Sequence, residues 1–145
     1  MITRIVLAAL VAASAATAVI AQGDPVATRK GLMKGVGGEN RNATEMLDGK
    51  QPFDLAKAKG VFTTMSANAD KMPALFPDNS KTGGDTAALP VIWENKADFD
   101  AKMAKFSADA KAAANKTTDA ASFKAAVGEV RQNCGGCHNT YRKKS

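Results

Sequence analysis

The end of the chain carries one apolar stripe that determines its local fold and the placement of its cysteines. The members of this stripe recur at steps of four and three residues, namely Phe123, Val127, Val130, Cys134, Cys137 and Tyr141. Such steps place side chains on one face of an α-helix. The stripe therefore predicts a helix from about Asp119 to Tyr141, with both cysteines of the chain on its buried face.

Three further segments predict helices. The first opens at Asp24-Pro25, where Asp suits the cap and Pro the first turn, and it continues to Leu47. The second runs from about residue 53 to 71 and stops before Pro73, and the third covers about residues 96–115. No segment alternates like a strand, so the fold class is all-α, an antiparallel four-helix bundle. Three glycines predict a bend in the first helix: Gly35, Gly37 and Gly38.

Residues 74–90 predict a long loop. This segment holds Pro77, Pro90 and a Gly-Gly pair among small polar residues, and these residues disfavour regular structure. Loops of this length in compact domains usually have a function. The apolar residues in and beside the loop predict that it packs against the core: Leu75, Phe76, Leu89 and Trp93.

The first 21 residues have the pattern of a signal peptide. Arg4 precedes an uncharged apolar run from Ile5 to Ile20, and Ala21 ends a small-residue cleavage site. We expect cleavage near Ala21/Gln22 and export to the periplasm, with an uncleaved membrane anchor as the alternative. Residues 22–145 then form one domain with no membrane span. Its charges are interspersed and aromatic residues are few, which argues against a nucleic-acid partner.

The sequence Cys134-Gly135-Gly136-Cys137-His138 is a C-x-x-C-H motif, which marks covalent attachment of haem c. The motif contains both cysteines and the single histidine of the chain. Each thiol can form a thioether with a porphyrin vinyl group, and His138 is then the proximal iron ligand. A thiol–disulfide redox motif needs an α/β context, a zinc site needs four ligands, and a disulfide leaves His138 unexplained. A haem would also fill a core that is rich in alanine.

The position of this motif at the chain end resembles the class II c-type cytochromes, namely cytochrome c′ and the methionine-ligated cytochrome c-556 type. The resemblance covers the whole chain after the signal peptide. The segments that carry it are Arg29-Lys30-Gly31-Leu32-Met33-Lys34, Leu75-Phe76-Pro77, Gly83-Gly84-Asp85, Ile92-Trp93 and Cys134 to Arg142. It implies a four-helix bundle with one covalent haem c in its core.

The resemblance implies roles for several polar residues. Arg29 matches an arginine beside the haem propionates, and Lys30 matches a neighbouring position at the haem edge. Asp85 and Thr86 match the loop that approaches this edge, and Arg142 matches an arginine near the proximal face. The alternatives are a solvated helix arginine for Arg29, ordinary turn residues for Asp85 and Thr86, and favourable charge at a helix C-terminus for Arg142.

Met33 matches the position that faces the distal side of the iron. As a ligand it would indicate the cytochrome c-556 type, and as a blocking side chain it would fit cytochrome c′. Core packing is the alternative for any helical methionine, and it is the expectation for Met46, Met65, Met72 and Met103.

Two functions follow from these alternatives. If Met33 binds the iron, we expect one-electron transfer to a redox partner protein. If Met33 does not bind the iron, we expect the protein to bind nitric oxide or carbon monoxide, as a carrier, sensor or sink. We expect no enzymatic activity, because the single histidine is committed to iron and no catalytic pair is evident. A homodimer through the first two helices is compatible with their apolar residues.

Overall fold

The computed structural model describes residues 23–144, so the predicted signal peptide, residues 1–21, lies outside the described residues. The described part contains no β-strand. Its helices are α1 (Pro25–Leu47), α2 (Leu55–Lys71), α3 (Val91–Glu94), α4 (Lys96–Lys116) and α5 (Ala120–Tyr141). The four long helices form the predicted four-helix bundle, and α3 adds a single turn before α4. None of the described helices has the length and apolar character that a bilayer span requires.

Aspartate side chains cap three of the long helices at their N-termini. Asp24 accepts a hydrogen bond from the backbone N–H of Val26 at 2.8 Å, and Asp54 accepts one from Lys57 N–H at 2.8 Å. Asp119 and Ser122 form a reciprocal capping box at the start of α5. Each cap satisfies an N–H group that has no partner within its helix. The predicted starts of α1 and α5 are therefore confirmed within a residue.

α1 runs as one uninterrupted helix through the three glycines at which a bend was predicted, because helix packing compensates for their low helix propensity. A Cβ atom at Gly35 would lie 2.9 Å from Nδ2 of Asn68 on α2. The same Asn68 amide donates a hydrogen bond to the carbonyl oxygen of Leu32 at 3.2 Å. Glycine therefore permits a close contact between α1 and α2, and tertiary contacts keep the helix continuous.

The segment between α2 and α4 is more regular than a plain loop. It contains two 3₁₀ turns, Met72–Leu75 and Asp78–Ser80, in addition to α3. Its last part pairs with the chain end, since Leu89 N–H donates to the Tyr141 carbonyl at 3.0 Å and Lys143 N–H donates to the Ala87 carbonyl at 2.8 Å. Phe76 and Ile92 are buried, which confirms that this segment packs against the core.

The buried apolar side chains of the described residues form two clusters. One fills the end of the bundle near the α1–α2 turn and includes Phe62, Phe106 and Phe123. The other lies at the opposite end and consists of Met72, Phe76, Ile92, Phe99, Met103, Cys137 and Tyr141. The second cluster borders the cavity that contains the C-x-x-C-H motif.

Candidate haem-binding site

A cavity of about 570 Å³ opens between α1, the α2–α4 segment, α4 and α5. This volume lies within the range of sites that hold a cofactor or a drug-sized ligand. Apolar side chains from α1, the α2–α4 segment and α4 form most of its wall: Met33, Val36, Met72, Phe76, Ala87, Ala88, Ile92, Phe99 and Met103. The cavity can therefore enclose a large apolar group.

The α5 side of the cavity carries the motif. Cys134 and Cys137 form no disulfide with each other, and both line the cavity together with His138. Burial raises the pKa of both thiols, so they remain neutral near pH 7. Burial, and then the charge of Arg142, lowers the pKa of His138. The imidazole is therefore kept neutral, which is the form that binds metal ions.

The α1 side of the cavity faces this motif. Met33 is partly buried on its wall, and Gly37 lies one helical turn further along α1. A Cβ atom at Gly37 would meet no atom within 4 Å. The α1 wall of the cavity therefore consists of a flexible thioether and, one turn further on, a residue without a side chain.

Arg29 lies on the cavity wall and is only 5% exposed. Its Nη1 donates to the Leu75 carbonyl at 3.0 Å and to Ser80 Oγ at 2.9 Å. Its Nη2 donates to the Ser80 carbonyl at 3.0 Å and to Thr86 Oγ1 at 2.7 Å. The guanidinium also stacks 4.7 Å from the centre of the Phe76 ring. Burial excludes the alternative of a solvated helix arginine.

These bonds give Arg29 a second role beside the one that the resemblance implies. Its two terminal nitrogens organise the α2–α4 segment, and all four acceptors are neutral oxygens. Burial lowers its pKa although Asp24 opposes the shift, but an arginine keeps its charge in proteins. The cavity wall thus contains a buried positive charge whose hydrogen-bonded partners are all uncharged.

The other candidate residues at this edge occupy different positions. Lys30 and Asp85 form an ion pair with Nζ and Oδ2 2.7 Å apart, and Asp85 is almost fully exposed. Lys30 and Thr86 line the cavity, whereas Asp85 does not. Arg142 lines the cavity from the end of α5, where its N–H donates to the His138 carbonyl at 3.2 Å.

Sequence reasoning missed several residues of the wall. Met72 and Met103 were expected in the core, and they are 2% and 4% exposed, but both also line the cavity. Phe99 lies four residues before Met103 on the same stripe of α4, so this spacing carried the signal. Asn40 lies two turns beyond Met33 and accepts a hydrogen bond from Arg131 Nε at 2.7 Å, which no sequence pattern indicated.

The charge of the cavity wall fits a haem, as do the volume and the apolar lining of the cavity. The charged side chains on it are all cationic, namely Arg29, Lys30, Lys34 and Arg142, and no carboxylate of the described residues lines it. A haem is a flat apolar group with two propionate carboxylates. Two thiols three residues apart, an adjacent neutral imidazole, an apolar cavity and a cationic wall together match this group.

Comparison with known proteins agrees with this geometry. The sequence model of the family described as Cytochrome C' matches residues 24–142. The chain belongs to the cytochrome c′ family. Cytochrome c′ of Rhodopseudomonas palustris is 46% identical over 125 residues, covering 86% of each chain. Cytochrome c-556 of Agrobacterium fabrum is 45% identical over 130 residues, covering 89% of this chain and 87% of the relative.

Solved structures of the family have the same architecture. Cytochrome c′ from Rhodopseudomonas palustris superposes with a TM-score of 0.82 at 45% identity, over 86% of this chain and 99% of the other. The family binds haem c covalently, so Cys134 and Cys137 of this cytochrome are its attachment residues. Its members transfer electrons or bind gases and are not enzymes, in agreement with the sequence-based expectation. The two relatives are similarly close and bear different names, so identity alone does not separate the two functions.

Proposed function

We propose that this cytochrome is a periplasmic one-electron carrier in which His138 and Met33 would both bind the haem iron. The haem supplies the Fe(II)/Fe(III) couple when bound. The residues of the chain hold it, exclude water from it and set its potential through the axial ligands and the surrounding burial. The remaining site residues, Arg29, Lys30, Asp85, Thr86 and Arg142, form or support the edge of the site.

The observation that carries this proposal is the position of Met33. It lies on α1, whereas His138 lies on α5, and both line the same cavity. Two other methionines line the cavity, but Met72 and Met103 are packed within the apolar cluster at 2% and 4% exposure. Met33 is only partly buried. A flexible thioether that is not locked in the buried core can move to a metal centre without disrupting the core.

Gas binding is the second candidate function. It is favoured by the glycine at position 37, one turn beyond Met33 on the cavity wall, since a residue without a side chain leaves room for a small ligand. The relative of 46% identity is named cytochrome c′. In this alternative Met33 packs over the iron without binding it, and nitric oxide or carbon monoxide occupies the open position.

Carbon monoxide binding to the ferrous holoprotein distinguishes the two functions. If Met33 is a ligand, its dissociation limits the reaction, and the observed rate constant becomes independent of carbon monoxide concentration at high concentration. If the position is open, the rate constant rises in proportion to concentration throughout. Stopped-flow absorbance measures this dependence, and we expect saturation. Strict proportionality would contradict electron transfer through a methionine-ligated haem.

Export and processing are part of the proposal. Removal of residues 1–21 would leave a chain that starts at Gln22 and carries one haem. Intact mass spectrometry of the protein from the periplasmic fraction of a host that matures c-type cytochromes tests both points. A chain that retains its first 21 residues would contradict the cleavage. The homodimer through α1 and α2 stays a prediction, which sedimentation analysis would test.

A further inference from the structure

The exposed charged side chains that line the mouth of the cavity are positively charged. Lys30, Lys34 and Arg142 line it and are exposed to solvent. Lys143 belongs to the same edge, because its Nζ donates to the carbonyl oxygen of Thr86 at 3.1 Å and Thr86 is on the wall. We refer to Lys30, Lys34, Arg142 and Lys143 as the cationic rim.

Little of this charge is neutralised by nearby carboxylates. Asp85 pairs with Lys30, and Asp98 accepts from Tyr141 and pairs with Lys102 at 3.6 Å. Within residues 23–144, the other three members of the cationic rim form no ion pair. The propionates of a bound haem do not use up these charges, because the four cations of the rim outnumber Asp85 and two propionates together, and buried Arg29 adds a further positive charge to the wall.

We propose that the cationic rim is the docking surface for an electron-transfer protein that presents an acidic patch around its own redox centre. This inference rests on the proposed function. A patch of one sign beside a redox centre raises the encounter rate with a partner of opposite sign and favours productive orientations. In the encounter one electron passes between the two centres, so that one is oxidised and the other reduced, and no proton or covalent bond changes.

An anionic membrane surface fits the cationic rim less well. Stable binding at a membrane requires apolar side chains that enter the interface in addition to cations. The large apolar residues exposed in the described part of the chain are Phe53 and Leu55. Phe53 contacts Phe123, with ring centres 6.0 Å apart, and so lies near the start of α5. The cationic rim lies at the other end of α5, about 27 Å away at 1.5 Å per residue.

The same separation provides a matched control. Lys57 and Lys124 are exposed and lie near the end of the bundle that contains Phe123. The double variant Lys34→Glu/Lys143→Glu changes the net charge by the same amount as Lys57→Glu/Lys124→Glu. The distance of Lys57 and Lys124 from the cationic rim exceeds the Debye length of about 8 Å at physiological ionic strength. A difference in oxidation kinetics between the two double variants must therefore come from the location of the charges at the cationic rim and not from the net charge.

Stopped-flow oxidation of the ferrous holoprotein by ferricyanide and by the tris(phenanthroline)cobalt(III) cation, from low to high salt, is the kinetic test. For the wild type we expect the ferricyanide rate constant to fall about threefold between roughly 0.1 and 1 M salt, where the Debye length shrinks from about 10 to about 3 Å and screening removes the attraction. The cobalt rate constant should rise over the same range. In Lys34→Glu/Lys143→Glu the ferricyanide dependence should vanish or reverse, whereas Lys57→Glu/Lys124→Glu should retain the wild-type dependence.

Binding provides a readout that does not depend on electron transfer. Poly-L-glutamate, added to the isotope-labelled holoprotein as a probe for an acidic partner, should shift the backbone amide signals of residues 30–34 and 142–143. The rim variant should lose these shifts and the control variant should keep them. Equal salt dependence and equal shifts in the two variants would overturn the docking surface.

Two other outcomes have distinct meanings. Slow oxidation by both reagents at every salt concentration would contradict the proposed electron-transfer function itself. Rapid oxidation with no difference between the variants would leave that function intact and refute the docking surface. Rim-dependent binding to phosphatidylglycerol vesicles, without binding to poly-L-glutamate, would assign the surface to membranes and also refute the proposal.

Discussion

Arg29 on α1 donates a hydrogen bond to Thr86, 57 positions later in the chain, with Nη2 and Oγ1 2.7 Å apart. Thr86 Oγ1 also accepts a bond from the N–H of Ala88 at 3.2 Å, and residues 87–89 pair with the chain end that follows His138. A connected set of contacts thus joins α1, one turn before Met33, to the end of α5. The α2–α4 segment is held as a wall of the haem site by both helices.

Replacement of Arg29 by alanine should destabilise this wall. The change leaves several buried acceptors without a donor, at about 1–3 kcal/mol for each group that finds no water. We expect the free energy of unfolding of the holoprotein to fall by about 3 kcal/mol, as measured by denaturant titration. Arg41→Ala on the exposed face of α1 is the matched control and should change it by less than about 0.5 kcal/mol.

Equal losses for the two variants would contradict the role of Arg29 in the wall. Arg29→Lys adds a second comparison, because an ammonium keeps the charge but cannot reach four acceptors in the geometry of a guanidinium. We therefore expect the free energy of unfolding of Arg29→Lys to lie between those of Arg29→Ala and the wild type.

Two glycines of α1 should respond differently to alanine. A Cβ atom at Gly38 would meet no atom within 4 Å, whereas one at Gly35 would lie 2.9 Å from Asn68 Nδ2. Gly38→Ala should raise the free energy of unfolding by about 0.5–1 kcal/mol, since alanine favours the helix and restricts the unfolded chain. Gly35→Ala should raise the free energy of unfolding by less than Gly38→Ala does, or lower it, because the added methyl group displaces the Asn68 amide. Denaturant titration measures both, and an equal gain would show that the contact with Asn68 has no energetic role.

The helix pattern was largely predictable from sequence because it depends on local spacing. The stripe from Phe123 to Tyr141 and the caps at Asp24 and Asp119 are short-range features, and they fixed the two helices that face each other across the cavity. The continuity of α1 was not predictable, because it depends on Asn68, which is distant in sequence and packs beside Gly35.

The candidate site was predictable in part for the same reason. Cys134, Cys137 and His138 are adjacent in sequence, so their joint position on the cavity wall followed from the motif. The hydrogen bonds of Arg29 to Ser80 and Thr86 are long-range contacts, and the resemblance indicated only the haem edge. The appearance of Met103 on the wall depends on how α4 is rotated against α5, which a single stripe does not specify.

Tyr141 should make stability depend on pH in the alkaline range. Its hydroxyl donates to Asp98, and this bond, with burial, raises its pKa to about 12. Only the neutral phenol can donate, so the stabilisation is complete below pH 10 and is lost as the pH rises towards about 12. We expect Tyr141→Phe to be less stable than the wild type at pH 8, and the difference to shrink between pH 10 and 12.

Denaturant titration of the two holoproteins at each pH gives this difference. All other ionisable groups are present in both proteins, so their contributions cancel in the comparison. A stability difference that stays constant from pH 8 to 12 would show that Tyr141 contributes through packing against Phe99 and not through the bond to Asp98.

The most direct test of the central claim is the spin state of the ferric holoprotein, measured by electron paramagnetic resonance in the wild type and in Met33→Leu. Leucine has a similar volume, and such exchanges usually cost less than about 1.5 kcal/mol, so the fold should persist. Met72→Leu and Met103→Leu are matched controls from the same cavity. Axial ligation by Met33 predicts a low-spin wild type, low-spin controls and a high-spin Met33→Leu. A high-spin wild type, or a low-spin signal that persists in Met33→Leu, would contradict it.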